Sequence, residues 1–180
     1  ASNCEDRDTT PDKNMCWEPY TGKWYEWARY ETPFEYGLDD VYAVYEATDE
    51  HQLKITNYGT DENGVQQKAH ARATKDGPGR LKVNFVPLLR FLSTPYHVLY
   101  VDDSYSHALV SDENGACLWL LGREPHYTTD ALRKLYREAE ARGFDTALLS
   151  RILTKRQKSC IYIWTGNVDF QHIYWLVCKF

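Results

Sequence analysis

Between Lys23 and Gly122 the chain breaks into eight short stretches, each apolar at alternate positions and each closed by a turn signal. Few folds accept that pattern. The stretches are 23–30, 40–48, 52–59, 65–74, 80–86, 96–102, 105–111 and 116–122, and turn-rich runs such as TDENG (60–64), KDGPG (75–79) and SDENG (111–115) separate them. Successive side chains of a strand point to opposite faces, so alternation assigns the faces. Leu53, Ile55 and Asn57 share one face, with Lys54 and Thr56 on the other. Ala69, Ala71 and Ala73 oppose Lys68, His70 and Arg72, and Leu81, Val83 and Phe85 oppose Lys82 and Asn84. Eight hairpin-linked strands with one apolar face each predict an antiparallel up-and-down β-barrel. A two-sheet sandwich meets the same pattern and stays open at this point.

One helix follows, which makes the fold class all-β with a single C-terminal α-helix. TTDALRKLYREAEARG (128–143) carries Thr128 or Thr129 as N-cap, Asp130 in the first turn and Gly143 as the stop. Ala131, Leu132, Leu135, Tyr136 and Ala139 form one stripe that should lie on the barrel wall. The polar residues 1–16 read as a loosely held arm, 17–158 as barrel and helix, and 159–180 as a hydrophobic extension. Within that extension, CIYIWTGNVDFQHIYWLVCKF (160–180) reads as a hairpin turning at Thr165-Gly166-Asn167. Tyr162, Trp164, Tyr174 and Trp175 leave both of its faces apolar, so the barrel exterior, a second protomer or a lipid surface must cover it. The adjacent KRQK (155–158) would suit an anionic membrane, or is simply a solvated strand end.

A net charge of -5 argues against nucleic-acid binding, which needs a basic footprint. No apolar run approaches the roughly 20 residues that span a bilayer. The N-terminus lacks a charged-then-apolar leader, so a secreted protein would be in its mature form here. Cys4, Cys16, Cys117, Cys160 and Cys178 stand too far apart for a zinc or thioredoxin-like pair, and point to disulfides in an oxidising compartment with one thiol left over. A hairpin could bring Cys160 opposite Cys178; Cys16 with Cys160 competes with that pairing.

The stretch GKWYEWARYETPFEYG (22–37) crowds six aromatic residues and an arginine together. Its first part, GKWYEWARY (22–30), resembles the G-x-W segment that opens the first strand of lipocalins. FEYGLDDVYAVYE (34–46) is similar to the segment next in order in bacterial outer-membrane lipocalins and apolipoprotein D-like members. VDDSYSHALV (101–110) and LWLLGREP (118–125) resemble the second and third blocks of the family, in the family's order.

That resemblance implies an eight-stranded barrel followed by a helix and a last strand. It implies that Trp24, set by Gly22, stacks on Arg123 at the closed end as a structural plug. It also implies a cavity lined by Ala43, Tyr45, Ile55, Asn57, Ala71, Phe85 and Trp119, with room left by the small alanines; the alternative is that Tyr45 and Phe85 fill the interior as core. The function it implies is binding and transport or storage of a small hydrophobic molecule such as a fatty acid or lysophospholipid, without cofactor, metal or catalysis, in a secreted, periplasmic or outer-membrane-associated protein. By the same resemblance Cys4 or Cys16 would staple the arm to Cys117. A lipocalin-fold enzyme would draw on Cys117, on Tyr105 with His107, or on His97. A third reading makes the barrel a scaffold whose tail recruits a partner or membrane. The apolar loop 86–94, with Leu88, Leu89, Phe91 and Leu92, and the tail are the surfaces open to a membrane contact or a homodimer.

Overall fold

The computed structural model describes residues 7–33, 35–85 and 94–152. The predicted tail hairpin, the KRQK run, residues 86–93 of the apolar loop, and Cys4, Cys160 and Cys178 lie outside the described residues. A short helical turn α1 (Trp17–Tyr20) leads into β1 (Gly22–Tyr30), β2 (Asp39–Ala47), β3 (Gln52–Thr60), β4 (Gln66–Lys75) and β5 (Arg80–Asn84). Then come β6 (Thr94–Val101), β7 (His107–Asp112), β8 (Leu118–Gly122), helix α2 (Thr129–Ala141) and a short β9 (Leu149–Arg151). Each strand from β2 to β8 pairs antiparallel with the next, β8 pairs with β1, and β1 pairs with β2. The sheet therefore closes on itself, and the sandwich alternative falls away.

Closure gives the alternating side chains two destinations. Trp24, Tyr45, Leu53, Ile55, Ala71, Ala73, Leu81, Val83, Val98, Ala108, Val110 and Leu121 form one cluster inside the barrel. Trp27, Ala28, Leu99, Leu109, Leu118 and Leu120 form a second on the outer wall, where Leu132, Leu135 and Ala139 of α2 cover them. The helix begins where the sequence marks it: Thr128 is the N-cap, and its side chain accepts from the Ala131 N–H.

Three differences from the sequence reading have clear physical causes. β5 ends at Asn84, so Phe85 continues the inward alternation beyond the last ladder bond and stands 52% exposed. The arm is fastened from residue 7 onwards. The Thr9 hydroxyl donates to the Glu113 carbonyl (2.8 Å), the Asp8 N–H to Arg142 O (2.9 Å) and the Asp12 N–H to Val98 O (2.8 Å), while Pro11 and Met15 are buried. It thus runs along the outside of the barrel from the β7–β8 turn to the β4–β5 turn.

The third difference lies in β1. The register slips between Glu26 and Ala28, a bulge that sends both Trp27 and Ala28 to the outer cluster. Trp24 and Glu26 lie inward before it, and Arg29, paired with Trp119, lies inward after it. At the same point β1 changes partner. Residues 22–25 pair with β2, whereas Ala28–Tyr30 pair with β9, and the Ile152 N–H donates to Trp27 O (3.1 Å).

The outward Trp27 lies flat over Gly122. A Cβ at residue 122 would stand 1.8 Å from Trp27 Cζ2, and the indole is held in place by its N–H to Glu124 O (2.8 Å). Gly122→Ala should therefore destabilise the fold by about 1–3 kcal/mol, read as a lower midpoint in urea denaturation with unchanged m.

Candidate functional site

The closed end of the barrel is built around one cation. The Arg123 guanidinium lies 3.8 Å from the centre of the Trp24 ring. Its nitrogens donate to Lys23 O (2.8 Å), Pro19 O (2.7 Å) and Tyr105 O (3.1 Å). Gly22 makes room for it: φ is +98°, and a Cβ there would sit 3.3 Å from Arg123 Nη1. The Trp24 N–H donates to Tyr20 O (2.8 Å), and Trp17, Tyr20 and Met15 pack beneath. The resemblance gave Gly22, Trp24 and Arg123 a structural role, and the geometry supports proposing it.

Above this floor the interior is apolar with a polar seam. Ala43 and Tyr45 of β2, Ile55 of β3, Ala71 of β4 and Trp119 of β8 all join the inner cluster. Asn57 pairs with Ala43 and shares its face. Phe85 does not join them. Tyr20, Tyr45 and Tyr96 meet across the barrel, with Tyr45 Oη and Tyr20 Oη lying 2.8 and 3.3 Å from Tyr96 Oη. Burial pushes all three phenols well up from their ordinary range, so they stay neutral hydrogen-bonding groups.

Towards the open end the seam becomes ionic, which alternation alone hides. Arg29, 1% exposed, donates from Nη1 to Glu26 Oε2 (3.1 Å) and from Nη2 to the carbonyls of Glu35 and Leu38. Glu31 also stands 3.6 Å from Nη2. Glu35 turns inward from the β1–β2 loop, where Trp119 Nε1 lies 3.3 Å from both carboxyl oxygens and the Thr32 hydroxyl donates to Oε2 (2.7 Å). Burial, and then the Glu35 charge, drive the Glu26 carboxyl up to about 8 against the pull of Arg29. Strict alternation from Trp24 would put Arg29 outside; the bulge brings it in. Where β1 leaves β2, a side pocket of about 210 Å³ opens, lined by Tyr25, Glu26, Asp40, Val41, Tyr42, Pro125 and Ile152.

The candidates for catalysis do not assemble. Tyr105 packs with the inner cluster and accepts from the Cys16 N–H (2.7 Å), whereas His107 lies on the outer surface beside Tyr100. Burial lowers the His107 pKa, and Nδ1 is engaged by the Ser106 hydroxyl at 2.8 Å. Asp102, despite partial burial, is held down at about 2 by hydrogen bonds from Ser104, His107 and Ser106. The His97 ring is tied to the arm, Nδ1 lying 2.9 Å from Thr9 O. Among the described residues no group of three or more His, Cys, Asp or Glu is placed to hold a metal ion.

Cys16 and Cys117 both stand as free thiols, so a staple between them is not made. They sit at opposite ends of the barrel, Cys16 before α1 at the floor and Cys117 in the β7–β8 turn at the mouth. Burial, with Asp112 and Glu35 nearby, pushes the Cys117 thiol up to about 11, which leaves on the order of one thiolate in ten thousand at pH 7.

Two measurements probe this arrangement. Arg123→Met should cost about 2–4 kcal/mol, because three carbonyls lose a charged donor and the indole loses its cation; Arg123→Lys should recover only part, as denaturation midpoints would show. Brief iodoacetamide labelling of the folded protein at pH 7, mapped by mass spectrometry, should modify exposed Cys16 well ahead of Cys117.

A family model described as a lipocalin-like domain matches residues 17–154. The chain is 35% identical over 136 residues to the outer membrane lipoprotein Blc of Vibrio cholerae, covering 71% of this chain and 75% of that protein. It is 34% identical over 146 residues to Blc of Escherichia coli strain K12, covering 78% and 80%. The solved structure of apocrustacyanin C2 superposes with a TM-score of 0.67 over 86% of this chain and 94% of that one, at 17% identity, a likeness of fold.

Proposed function

The chain belongs to the lipocalin family, and from that premise we propose that it binds a small hydrophobic molecule inside the barrel and transports or stores it. Membership supports the coarse reading, binding of small hydrophobic ligands. The finer reading, a fatty acid or lysophospholipid, is supported by one observation: apart from the tyrosine and Glu26–Arg29–Glu35 groups, the inward face of the closed sheet is apolar, and it is small at Ala43, Ala71 and Ala73. An acyl chain laid against that face gains roughly 25 cal/mol for each Å² of apolar surface taken from water, before the entropic cost of association. Tyr45, Asn57 and Trp119 supply the few polar groups that orient a ligand in such a site, with Ile55 and Ala71 as wall. Phe85, at the rim, would meet the ligand's outer end. Relatives named as outer membrane lipoproteins favour a place outside the cytoplasm, associated with the outer membrane.

The test uses N-phenyl-1-naphthylamine, an apolar dye that is neutral and brightens in dry surroundings. The protein should bind it, and oleic acid or a lysophospholipid should displace it. Ala43→Phe, which fills the interior, should weaken dye binding at least tenfold. Val44→Phe, on the opposite face of the same strand, should leave it unchanged. A dye that never brightens, or equal losses in both variants, would remove the carrier reading.

A further inference from the structure

The outer wall of the barrel has two unlike halves. Over β6, β7 and β8 the outward side chains include Leu99, Leu109, Leu118 and Leu120, and α2 packs on them. Over the start of β1 and over β2, β3 and β4 the wall is basic and phenolic instead. Lys23, Lys54, Lys68 and Arg72 stand there, all exposed, on the face opposite the inward Trp24, Ile55 and Ala71. Glu46 is the acid among the outward residues of these strands. The chain as a whole carries a net charge of -5, so this face has the opposite sign to the molecule that bears it.

Register sets the pattern. Tyr25 pairs with Tyr42, Tyr42 with Tyr58 and Tyr58 with Lys68, so three phenols and an ammonium form one row across four strands. The Tyr42 and Tyr58 rings stack with centres 4.7 Å apart, and the Tyr25 ring lies 5.7 Å from that of Tyr42. Lysines close both ends of the row. Lys23 Nζ lies 3.9 Å from the centre of the Tyr42 ring and 4.7 Å from that of Tyr25, and Lys68 Nζ lies 5.4 Å from that of Tyr58. Further along β3, Lys54 stands directly opposite Arg72, a like-charge pair that works against the fold. Glu46 answers Lys54 at 3.0 Å, whereas Lys23, Lys68 and Arg72 make no salt bridge with the described residues.

We propose that this face docks the barrel onto a lipid surface that carries anionic phosphate headgroups. Charge complementarity is the first reason. Neighbouring strands run about 5 Å apart, so the four cations lie close enough to act as one patch at a screening length of about 8 Å. Each basic group near an anionic bilayer strengthens binding roughly fivefold. The choice of cation is the second reason. Three of the four are lysines, whose hydrated ammonium on a flexible stem follows mobile headgroups without a fixed geometry. A folded acidic partner would favour arginine forks, and protein interfaces are depleted in lysine. The tyrosine row is the third reason, because a ring with an apolar body and a polar tip suits the boundary between headgroups and water. The patch lies on the wall and not on the rim, so a barrel docked by it rests on its side with its mouth clear of the lipid. Nothing in this docking depends on what the interior holds.

The test mixes the full chain with vesicles of phosphatidylcholine alone, or of an equal mixture of phosphatidylcholine and phosphatidylglycerol, and measures the fraction that pellets. The protein should pellet with the anionic vesicles only, and high salt should release it. Lys68→Glu combined with Arg72→Glu should weaken binding at least about twentyfold. Arg133→Glu combined with Arg137→Glu makes the same change of charge on the exposed side of α2 and should leave it unchanged. Lysine acetylation by sulfo-N-hydroxysuccinimidyl acetate, mapped by mass spectrometry, should modify Lys54 and Lys68 in the free protein and spare them on anionic vesicles. Lys134 on α2 should react in both states, and this footprint carries the comparison if the β4 variant does not fold. Absent or equal pelleting with the two vesicles, equal losses in the two variants, or lysines that stay reactive on the vesicles would overturn the proposal. So would Lys54 and Lys68 already unreactive in the free chain, the result expected if residues 153–180 or a second copy cover the face.

Discussion

The guanidinium of Arg123 rests 3.8 Å from the centre of the Trp24 ring, and one end of the barrel is assembled around that contact. Three carbonyls from three separate segments, at Pro19, Lys23 and Tyr105, end on this one side chain. Each would otherwise need water, and a wet floor would make the barrel a pipe. With the floor filled by Trp17, Tyr20 and Trp24, the inward side chains of the strands above it gather into one apolar cluster. The contact combines a face-on cation with a fork of donors, which is why lysine is a poor substitute.

The chemistry at the mouth depends on a defect in the same strand. Had β1 kept its alternation, Arg29 would point at solvent and Glu26 would have no partner inside. The bulge turns Arg29 inward, and the exchange of β2 for β9 as neighbour opens the wall beside Glu26. A single irregularity thus supplies a buried cation, carboxyls around it, and a side pocket with Glu26 in its lining. The raised Glu26 carboxyl is the electrostatic signature of that arrangement, caused first by burial and then by Glu35.

The three phenols lie between floor and mouth. Tyr45 and Tyr20 both reach Tyr96, and the Tyr96 ring lies 6.2 Å from that of Trp119, roughly parallel to it. Rigid aromatic bodies with satisfied hydroxyls let the interior be polar at chosen points without paying for orphaned groups. The small residues at 43, 71 and 73 stand on β2 and β4, so the large and small side chains are divided among the strands rather than stacked on one of them.

Local chain physics made much of this readable in advance. The eight strands fall within two residues of where alternation and turn residues place them, and Thr128 caps α2 as its position suggests. Both signals act over a few residues, through the two-residue period of a strand and the unpaired N–H groups of a helix end, so they survive without knowledge of partners. The fate of Phe85, the fastening of residues 7–16, the separation of Cys16 from Cys117 and the meeting of Glu26, Arg29 and Glu35 were decided only in three dimensions. Each depends on which strand stops, bulges or changes neighbour, and those events are set by contacts between segments far apart in the chain. The amino-acid order determined a closed barrel with an apolar lining; tertiary packing decided where inside it charge would be trapped.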